Sequence, residues 1–205
     1  MPRAGYQTKL FETGISLPSG FVYRPNFLTE EEENELVEWF ADLPFERAFS
    51  AEGYEAKRRI VNFGGSYNFE TGALIPGPPL PPFLQPLARK IAKWVDIPKA
   101  RVVEALISEY EPGAAIGWHR DNEQFESIVG ISLAGWTRMR LRPLATVGKR
   151  NPKDVVSLEV GPRSAYLMQK ESRWNYQHSI PKLSALRYSI TFRTLSPHVR
   201  IPRRR

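Results

Sequence analysis

The second half of the chain is a series of short β-strands separated by turn residues, and this pattern limits the fold more than any other feature of the sequence. The predicted strands are Val102–Tyr110, Ile128–Leu133, Thr137–Leu141, Val155–Val160, Ala165–Gln169 and Arg187–Thr194. Turn residues interrupt them at 111–113, 147–152 and 161–162. Many short strands with this punctuation predict a jelly roll or a β-sandwich.

The first half of the chain mixes helices with loops. Thr29 followed by Glu30–Glu32 predicts a helix N-terminus with a capping box, and apolar residues at helical spacing continue through about Asp42. A second helix is predicted to begin at Pro86, since proline suits the first helical turn. The proline-rich run 75–82 can form neither a helix nor a central strand. It is interpreted as a stiff surface connection or, alternatively, as a recognition motif for another domain.

Length and charge narrow the class of protein. A chain of 205 residues fits one domain, and the absence of an apolar leader or a membrane-spanning run leads us to expect a cytoplasmic protein. Residues 1–100 carry 11 basic and 13 acidic side chains, whereas residues 101–205 carry 18 basic and 9 acidic ones. Four arginines close the chain, namely Arg200, Arg203, Arg204 and Arg205. They are interpreted as a solubilising tail or as an arm that attracts phosphate backbones.

The chain has no cysteine, so any metal must be held by histidine, aspartate or glutamate. His119 and Asp121 are two residues apart, and in an extended segment both side chains leave the same face and can converge on one ion. His178 could complete a set of two histidines and one carboxylate, which leaves open positions on Fe(II). The alternative is a hydrogen-bonded turn histidine without a metal. His198, near the end of the chain, is given no role.

The last predicted strand has two different faces. In Arg187–Arg193 the odd positions are Arg, Ser, Thr and Arg, while the even positions are Tyr, Ile and Phe. Arginines at both ends of the polar face could hold the two ends of a short dicarboxylate, because each guanidinium matches a carboxylate. The alternative is a solvated face on an edge strand.

Three segments, taken in order, resemble signature motifs of one family. They are Tyr110–Glu123 (YEPGAAIGWHRDNE), His178–Pro181 (HSIP) and Arg187–Arg193 (RYSITFR). They resemble the AlkB family of Fe(II)- and 2-oxoglutarate-dependent nucleic-acid dealkylases, closely over about residues 100–195 and loosely before them. The resemblance implies three iron ligands that also form the catalytic centre: His119, Asp121 and His178.

The resemblance also implies a 2-oxoglutarate site. Arg187 matches the arginine that forms a salt bridge with the co-substrate, and Arg193 matches the second arginine of the same motif. Tyr110 matches a tyrosine that hydrogen-bonds 2-oxoglutarate. Ser108 and Ser189 stand where family members often have asparagine, so the hydrogen bonds made there are expected to differ.

Further residues match substrate-contacting positions of the family. Glu123 matches an acidic position that contacts the target base, and its alternative is an exposed loop glutamate. Residues 57–69 resemble the substrate lid, in which Arg58 and Arg59 could meet phosphates while Tyr67 and Phe69 offer rings for a base to stack on. The alternative for these two aromatic residues is core packing. Trp118 is interpreted as packing in the wall of the site.

The resemblance implies an α+β protein with a mainly β core, a double-stranded β-helix or jelly roll, as a single domain over residues 1–205. Residues 1–100 would supply helices and a nucleotide-recognition lid, residues 101–195 the catalytic core and residues 196–205 a basic tail. The expected activity is oxidative demethylation of bases such as 1-methyladenine or 3-methylcytosine in DNA, with RNA as a further substrate. Formaldehyde, succinate and CO2 are the expected products.

The expected requirements are Fe(II), 2-oxoglutarate and O2. The expected partner is single-stranded or locally opened nucleic acid. The protein is expected to act as a monomer and to have no membrane as a partner. Three alternatives stay open: the same chemistry on a tRNA base or a protein side chain, a non-catalytic nucleic-acid-binding β module, and a hydrolytic zinc enzyme.

Overall fold

The computed structural model describes residues 16–49, 55–68, 73–96, 102–148 and 154–196. Its strands are β1 (Phe21–Arg24), β2 (Glu46–Phe49), β3 (Glu55–Asn68), β4 (Ala73–Pro76), β5 (Val102–Tyr110), β6 (Ile116–His119), β7 (Phe125–Leu133), β8 (Thr137–Pro143), β9 (Val156–Val160), β10 (Ala165–Met168), β11 (Tyr176–Ile180) and β12 (Arg187–Leu195). Its α-helices are α1 (Glu30–Phe40), α2 (Gln85–Trp94) and α3 (Lys170–Trp174). Single 3-10 turns cover Pro82–Leu84 and Leu144–Thr146.

Two antiparallel sheets form the body of the protein. The major sheet has the order β1-β10-β7-β12-β5-β3-β2, with β4 paired to β3, and the minor sheet has the order β6-β11-β8-β9. Apolar side chains from both sheets share one cluster, which includes Ile128, Met139, Leu141, Leu158 and Tyr166. This arrangement confirms the predicted mainly β, jelly-roll core.

Two helices cover the outer face of the major sheet. The capping box at the start of α1 is present, because the Thr29 hydroxyl accepts from the Glu32 amide and the Glu32 carboxylate accepts from the Thr29 amide. Such a cap contributes about 1 kcal/mol to helix stability. The helices and the sheet share one core, formed by Leu36, Phe40, Leu87, Ala88, Ile91, Ile107, Ile131, Ile190 and Phe192.

The stretch between the two helices is more regular than its sequence suggests. It contains β3, a strand of 14 residues that pairs with both β2 and β5 and so extends the major sheet. Adjacent arginines and glycines hide the period of two in this segment, and pairing with β5 decides its structure. The proline-rich run begins as β4, which pairs with β3 alone, so Pro76 occupies a sheet edge where a missing amide hydrogen is tolerated.

Strand β12 lies in the middle of the major sheet, between β7 and β5. Its apolar residues face the helices, and its polar residues face the space between the two sheets. The Arg187 side chain is almost completely buried, with 1% of its surface exposed. The alternative of a solvated face on an edge strand is therefore wrong.

None of the helices in the described ranges has the length and apolar character needed to span a membrane. Phe69, His198 and the four terminal arginines lie outside the described residues.

Candidate metal centre

A β-bulge in β6 directs His119 into the space between the sheets. His119 lies opposite His178 of β11, and Ile116 lies opposite Ile180, so β6 has one residue more than β11 between these two pairs. A bulge re-aims the side chains beside it and leaves the extra residue out of the ladder. Both Ile116 and His119 consequently line the internal cavity.

His119, Asp121 and His178 form a cluster that could hold one metal ion. One ligand atom from each residue lies within 4.8 Å of the others, and the His178 Nε2 and the Asp121 Oδ2 are 3.5 Å apart. The His119 Nδ1 is 2.9 Å from the carbonyl oxygen of Gly117. Since a carbonyl can only accept, Nδ1 carries the hydrogen and Nε2 is left as a free electron-pair donor. Two imidazoles and one carboxylate are the donor set typical of non-haem Fe(II) sites with open positions.

A mostly buried arginine, Arg193, holds the carboxylate of this cluster, with 14% of its side chain exposed. Arg193 donates through Nη2 to the Asp121 Oδ1 at 2.6 Å and through Nη1 to the Glu104 Oε2 at 2.9 Å. Burial by itself would raise the pKa of Asp121, but Arg193 and the two histidines outweigh it and hold this pKa well below its usual value. Asp121 is consequently ionised at neutral pH and able to bind a cation.

The two histidines are electrically neutral at physiological pH. Burial and the neighbouring His119 lower the pKa of His178 to about 3, even though Asp121 opposes this shift. Burial also lowers the pKa of His119. Metal binding needs the neutral imidazole, so both ligands are already in the protonation state that a metal ion requires.

A small cavity lies at the ligand cluster and is partly open to solvent. Predicted site residues that line it are Arg58, Ser108, Tyr110, His119, Asp121, His178, Ser189 and Arg193. Ser108, Ser189 and Ser132 lie side by side across β5, β12 and β7, and these short side chains leave the space open. Gly130 makes room for Tyr166, another residue of the lining, because a Cβ there would lie 2.1 Å from the Tyr166 ring.

Arg187 lies behind this lining and contacts it through Tyr110. Its Nε donates to the Ser132 hydroxyl at 3.0 Å, and its guanidinium carbon lies 5.2 Å from the centre of the Tyr110 ring. Its buried Nη1 has no hydrogen-bond partner among the described residues. A buried donor left unpaired costs about 1–3 kcal/mol, and more when it is charged. A carboxylate ligand would remove this cost, so the residues present fit 2-oxoglutarate.

Tyr110 is positioned by two of the predicted residues. Arg58 and Ser189 hydrogen-bond its side chain. Burial would raise the pKa of Tyr110, but the positive charges of Arg58 and Arg187 lower it below its usual value. Arg58, Arg187 and Ser189 thus hold the Tyr110 hydroxyl at the cavity wall.

Arg173 is a buried residue beside the site that no sequence pattern indicates. Through Nε and Nη2 it donates to the Phe125 carbonyl oxygen at 3.1 and 2.8 Å, and Nη2 also reaches the Asn122 carbonyl oxygen at 2.5 Å. These bonds fix the turn that follows Asp121. The segment that carries Arg173 is polar and short, and nothing in it predicts a buried residue. The structural role of Arg173 is evident from its burial, with 2% of the residue exposed, and from these hydrogen bonds.

The predicted substrate residues separate in the structure. Arg58 lines the cavity, whereas Arg59 forms a salt bridge of 2.6 Å with Glu109. Glu123 is exposed and lines a neighbouring open hollow, which it shares with Arg120, Asp121, Asn122, Leu144 and Gln177. Tyr67 belongs to β3, but its side chain, like the whole of Phe69, lies outside what the structure describes.

Gly117 and Trp118 form the bulge in β6, and Trp118 does not line the cavity. Its ring lies against Arg140 and Arg142 of β8, whose side chains occupy the outer face of the minor sheet. Trp118 thus has the packing role expected of it, on the outer face of the minor sheet and not on the side of the metal ligands.

Comparison with known proteins gives three findings. Residues 20–193 match the model of the 2OG-Fe(II) oxygenase superfamily. The tRNA (carboxymethyluridine(34)-5-O)-methyltransferase ALKBH8 of Mus musculus is 27% identical over 177 residues, which are 80% of this chain and 24% of that protein, so the chain spans about a quarter of the relative's length. The solved structure titled "The structure of OsALKBH1" matches with a TM-score of 0.67 and 12% identity over 87% of this chain and 98% of that one, which is a likeness of fold.

Proposed function

Because the chain belongs to the 2OG-Fe(II) oxygenase superfamily and is an enzyme of the AlkB type, we propose that it removes N-alkyl groups from bases in nucleic acid. Its cofactor is Fe(II), and its co-substrates are 2-oxoglutarate and O2. When Fe(II), 2-oxoglutarate and O2 are bound, they would supply an oxidant that hydroxylates an alkyl carbon, while 2-oxoglutarate is converted to succinate and CO2. A hydroxylated N-methyl group then leaves as formaldehyde, and the unmodified base is restored.

The residues of the cavity divide the work between them. His119, Asp121 and His178 would hold the iron, while Arg193 keeps Asp121 ionised and oriented. Arg187 would bind the distant carboxylate of 2-oxoglutarate through its unpaired Nη1. That unpaired, buried guanidinium nitrogen behind the ligand cluster is the observation that carries the oxygenase assignment, because a hydrolytic zinc site would leave it without an acceptor.

The open hollow beside Asp121 supports a methylated base as the substrate. Bases such as 1-methyladenine and 3-methylcytosine carry a positive charge and pair poorly, so turning them out of a strand costs less than turning out an intact base. Glu123 offers a carboxylate that would attract this cation, and Arg120 lies in the same hollow and would attract the neighbouring phosphate. The basic balance of residues 101–205 also favours a polyanion.

The test is single turnover with defined oligonucleotides. The protein is loaded anaerobically with Fe(II) and 2-oxoglutarate, mixed with single-stranded DNA or RNA that contains one 1-methyladenine, and then exposed to O2. We expect the oligonucleotide to lose the mass of one CH2 unit as formaldehyde and succinate appear together. Consumption of 2-oxoglutarate with every methylated oligonucleotide unchanged would refute the substrate proposal and leave the oxygenase chemistry intact.

Two variants serve as controls for this assay. His119→Ala removes a ligand and should abolish both succinate and formaldehyde formation. Glu123→Gln keeps the ligands and the shape of the hollow, so it should retain activity and lose selectivity for a cationic base over a neutral methylated base. Equal selectivity of Glu123→Gln and the unmodified protein would contradict the role of this carboxylate.

A modified tRNA base is the second candidate substrate. The observation in its favour is the printed name of the mouse relative, which refers to a tRNA uridine, although the present chain spans only 24% of that protein. Competition distinguishes the two substrates: unlabelled tRNA and unlabelled methylated DNA are each added to the oligonucleotide assay. Stronger inhibition by tRNA, together with a mass change in it, would favour the second candidate.

A further inference from the structure

The two faces of the minor sheet have opposite character. In β8, Met139 and Leu141 point into the core between the sheets. Arg138, Arg140 and Arg142 alternate with them and therefore lie on the outer face. Three arginines thus stand in a row along one strand, with successive Cα atoms roughly 6.6 Å apart.

Two of these arginines are held in place by uncharged groups. The guanidinium carbons of Arg140 and Arg142 lie 5.1 and 4.4 Å from the centre of the Trp118 ring. Arg140 donates to the Ser179 hydroxyl at 3.0 Å, and Arg142 donates twice to the Gln177 side-chain oxygen, at 3.0 and 2.7 Å. These contacts restrict both side chains while leaving other guanidinium hydrogens free for a further acceptor.

The charge of this pair is not neutralised. Arg138, the third arginine of the row, forms a salt bridge of 2.8 Å with Glu159 of β9. No carboxylate among the described residues forms an ion pair with Arg140 or Arg142. Two adjacent, ordered and unpaired positive charges favour an anion, and the planar guanidinium suits the oxygens of a phosphate.

This surface is continuous with the hollow beside the metal ligands. Gln177 lines the hollow together with Glu123, and the same side chain accepts both hydrogen bonds from Arg142. Arg120 lines the same hollow. A strand with its target base near Asp121 could follow this path around the end of the minor sheet.

We propose that Arg140 and Arg142, ordered by Trp118, bind the phosphate backbone of the substrate strand on one side of the target base. This inference rests on the proposed function, since it assumes a nucleic-acid substrate. The pair reads no sequence, because phosphate contacts position a strand and carry no base information. The arginine pair increases the affinity for the strand, and this increase grows with the length of the strand and falls as the salt concentration rises.

The test compares two double variants that remove the same charge. Arg140→Gln with Arg142→Gln removes the outer-face pair. Arg89→Gln with Lys93→Gln removes two exposed charges from α2, which packs on the major sheet. Fluorescence anisotropy measures the affinity of each protein for single-stranded 4-mers and 12-mers between 50 and 200 mM salt. Thermal unfolding and Co(II) binding verify that each variant retains its fold and its metal site.

The expected result follows from counter-ion release. Each phosphate contact to a single strand contributes about 0.7 to the slope of log affinity against log salt concentration, so loss of two contacts lowers it by about 1.4. Over a fourfold rise in salt, the unmodified protein should lose about sevenfold more affinity for the 12-mer than the outer-face variant does. The α2 variant should keep the original slope, and affinity for the 4-mer should change less than affinity for the 12-mer.

Two results would overturn the inference, and they differ in what else they affect. An unchanged slope in the outer-face variant, with the unmodified protein still binding and demethylating the 12-mer, overturns the inference alone. Equal slope losses in the two double variants also overturn it, because the effect then reflects net charge. Failure of the unmodified protein to bind any oligonucleotide overturns the inference and the proposed substrate together.

Discussion

Replacing Arg193 by methionine is expected to destabilise the metal-free protein strongly. The change leaves the Asp121 and Glu104 carboxylates buried without the guanidinium that now bridges them at 2.6 and 2.9 Å. Removing one partner of a buried ion pair costs about 3–5 kcal/mol, because the remaining charge stays desolvated. For a domain of this size each kcal/mol lowers the Tm by about 2–4 °C, so we expect a decrease of roughly 6–20 °C.

The cost of this substitution should depend on pH in a defined direction. In the unmodified protein the pKa of Asp121 lies below its usual value of 3.8, so its stabilising contribution is present above that pH and is lost as the pH falls through the lowered pKa. Without Arg193, burial favours the protonated form of the Asp121 carboxyl, so acidification removes the buried negative charge. The difference in unfolding free energy between the two proteins should therefore be largest near neutral pH and shrink toward pH 4.

Urea unfolding in the presence of a chelator, at pH 7 and at about pH 4.5, measures both quantities. Arg138→Met is the matched control, because Arg138 pairs with Glu159 at the surface, where 62% and 56% of the two side chains are exposed. Such a pair contributes about 0–1 kcal/mol. A loss for Arg193→Met no larger than for Arg138→Met, or a loss that grows on acidification, would refute the reasoning.

Three further predictions concern the co-substrate, the metal and the cavity wall. Arg187→Met should weaken 2-oxoglutarate binding, measured by calorimetry, by about 10- to 150-fold, because it removes a charged hydrogen bond worth roughly 1.5–3 kcal/mol. The affinity for an oligonucleotide should stay nearly unchanged. Equal losses of both affinities would contradict the role of Arg187. Because the pKa of His178 is lowered to about 3, Co(II) affinity should not fall in the ordinary histidine range near pH 6.5, and a titration that shows such a fall would contradict the assignment. Gly130→Ala should cost about 1–3 kcal/mol in urea unfolding because its Cβ would overlap the Tyr166 ring, whereas Gly117→Ala, with no atom within 4 Å, should cost clearly less.

Much of the fold and of the candidate site could be predicted wherever a local rule governed the structure. The capping box at Thr29 formed as expected, since it depends only on residues three apart. The alternation in Arg187–Arg193 indicates a strand with one apolar face, which the structure shows as β12, and β5 has the predicted bounds. The sequence also predicts the three metal ligands, and the structure brings one ligand atom of each within 4.8 Å of the others.

The features that were missed depend on contacts between distant segments. Strand β3 is defined by its pairing with β5, and the paired residues lie 40 to 50 positions apart in the chain. Arg173 is held by carbonyl groups of another turn, and backbone acceptors leave no trace in side-chain patterns. The outward direction of Trp118 follows from the register between β6 and β11, which residue spacing within one strand does not reveal.

The bulge in β6 has a consequence for the chemistry of His119. The carbonyl of Gly117, which accepts from Nδ1, belongs to the stretch of β6 that has one residue too many for its partner strand. The ring nitrogen that carries the proton is therefore selected by a backbone carbonyl within the bulge and not by a side chain. A side-chain replacement at position 117 that preserves the backbone should leave the tautomer of this ligand unchanged.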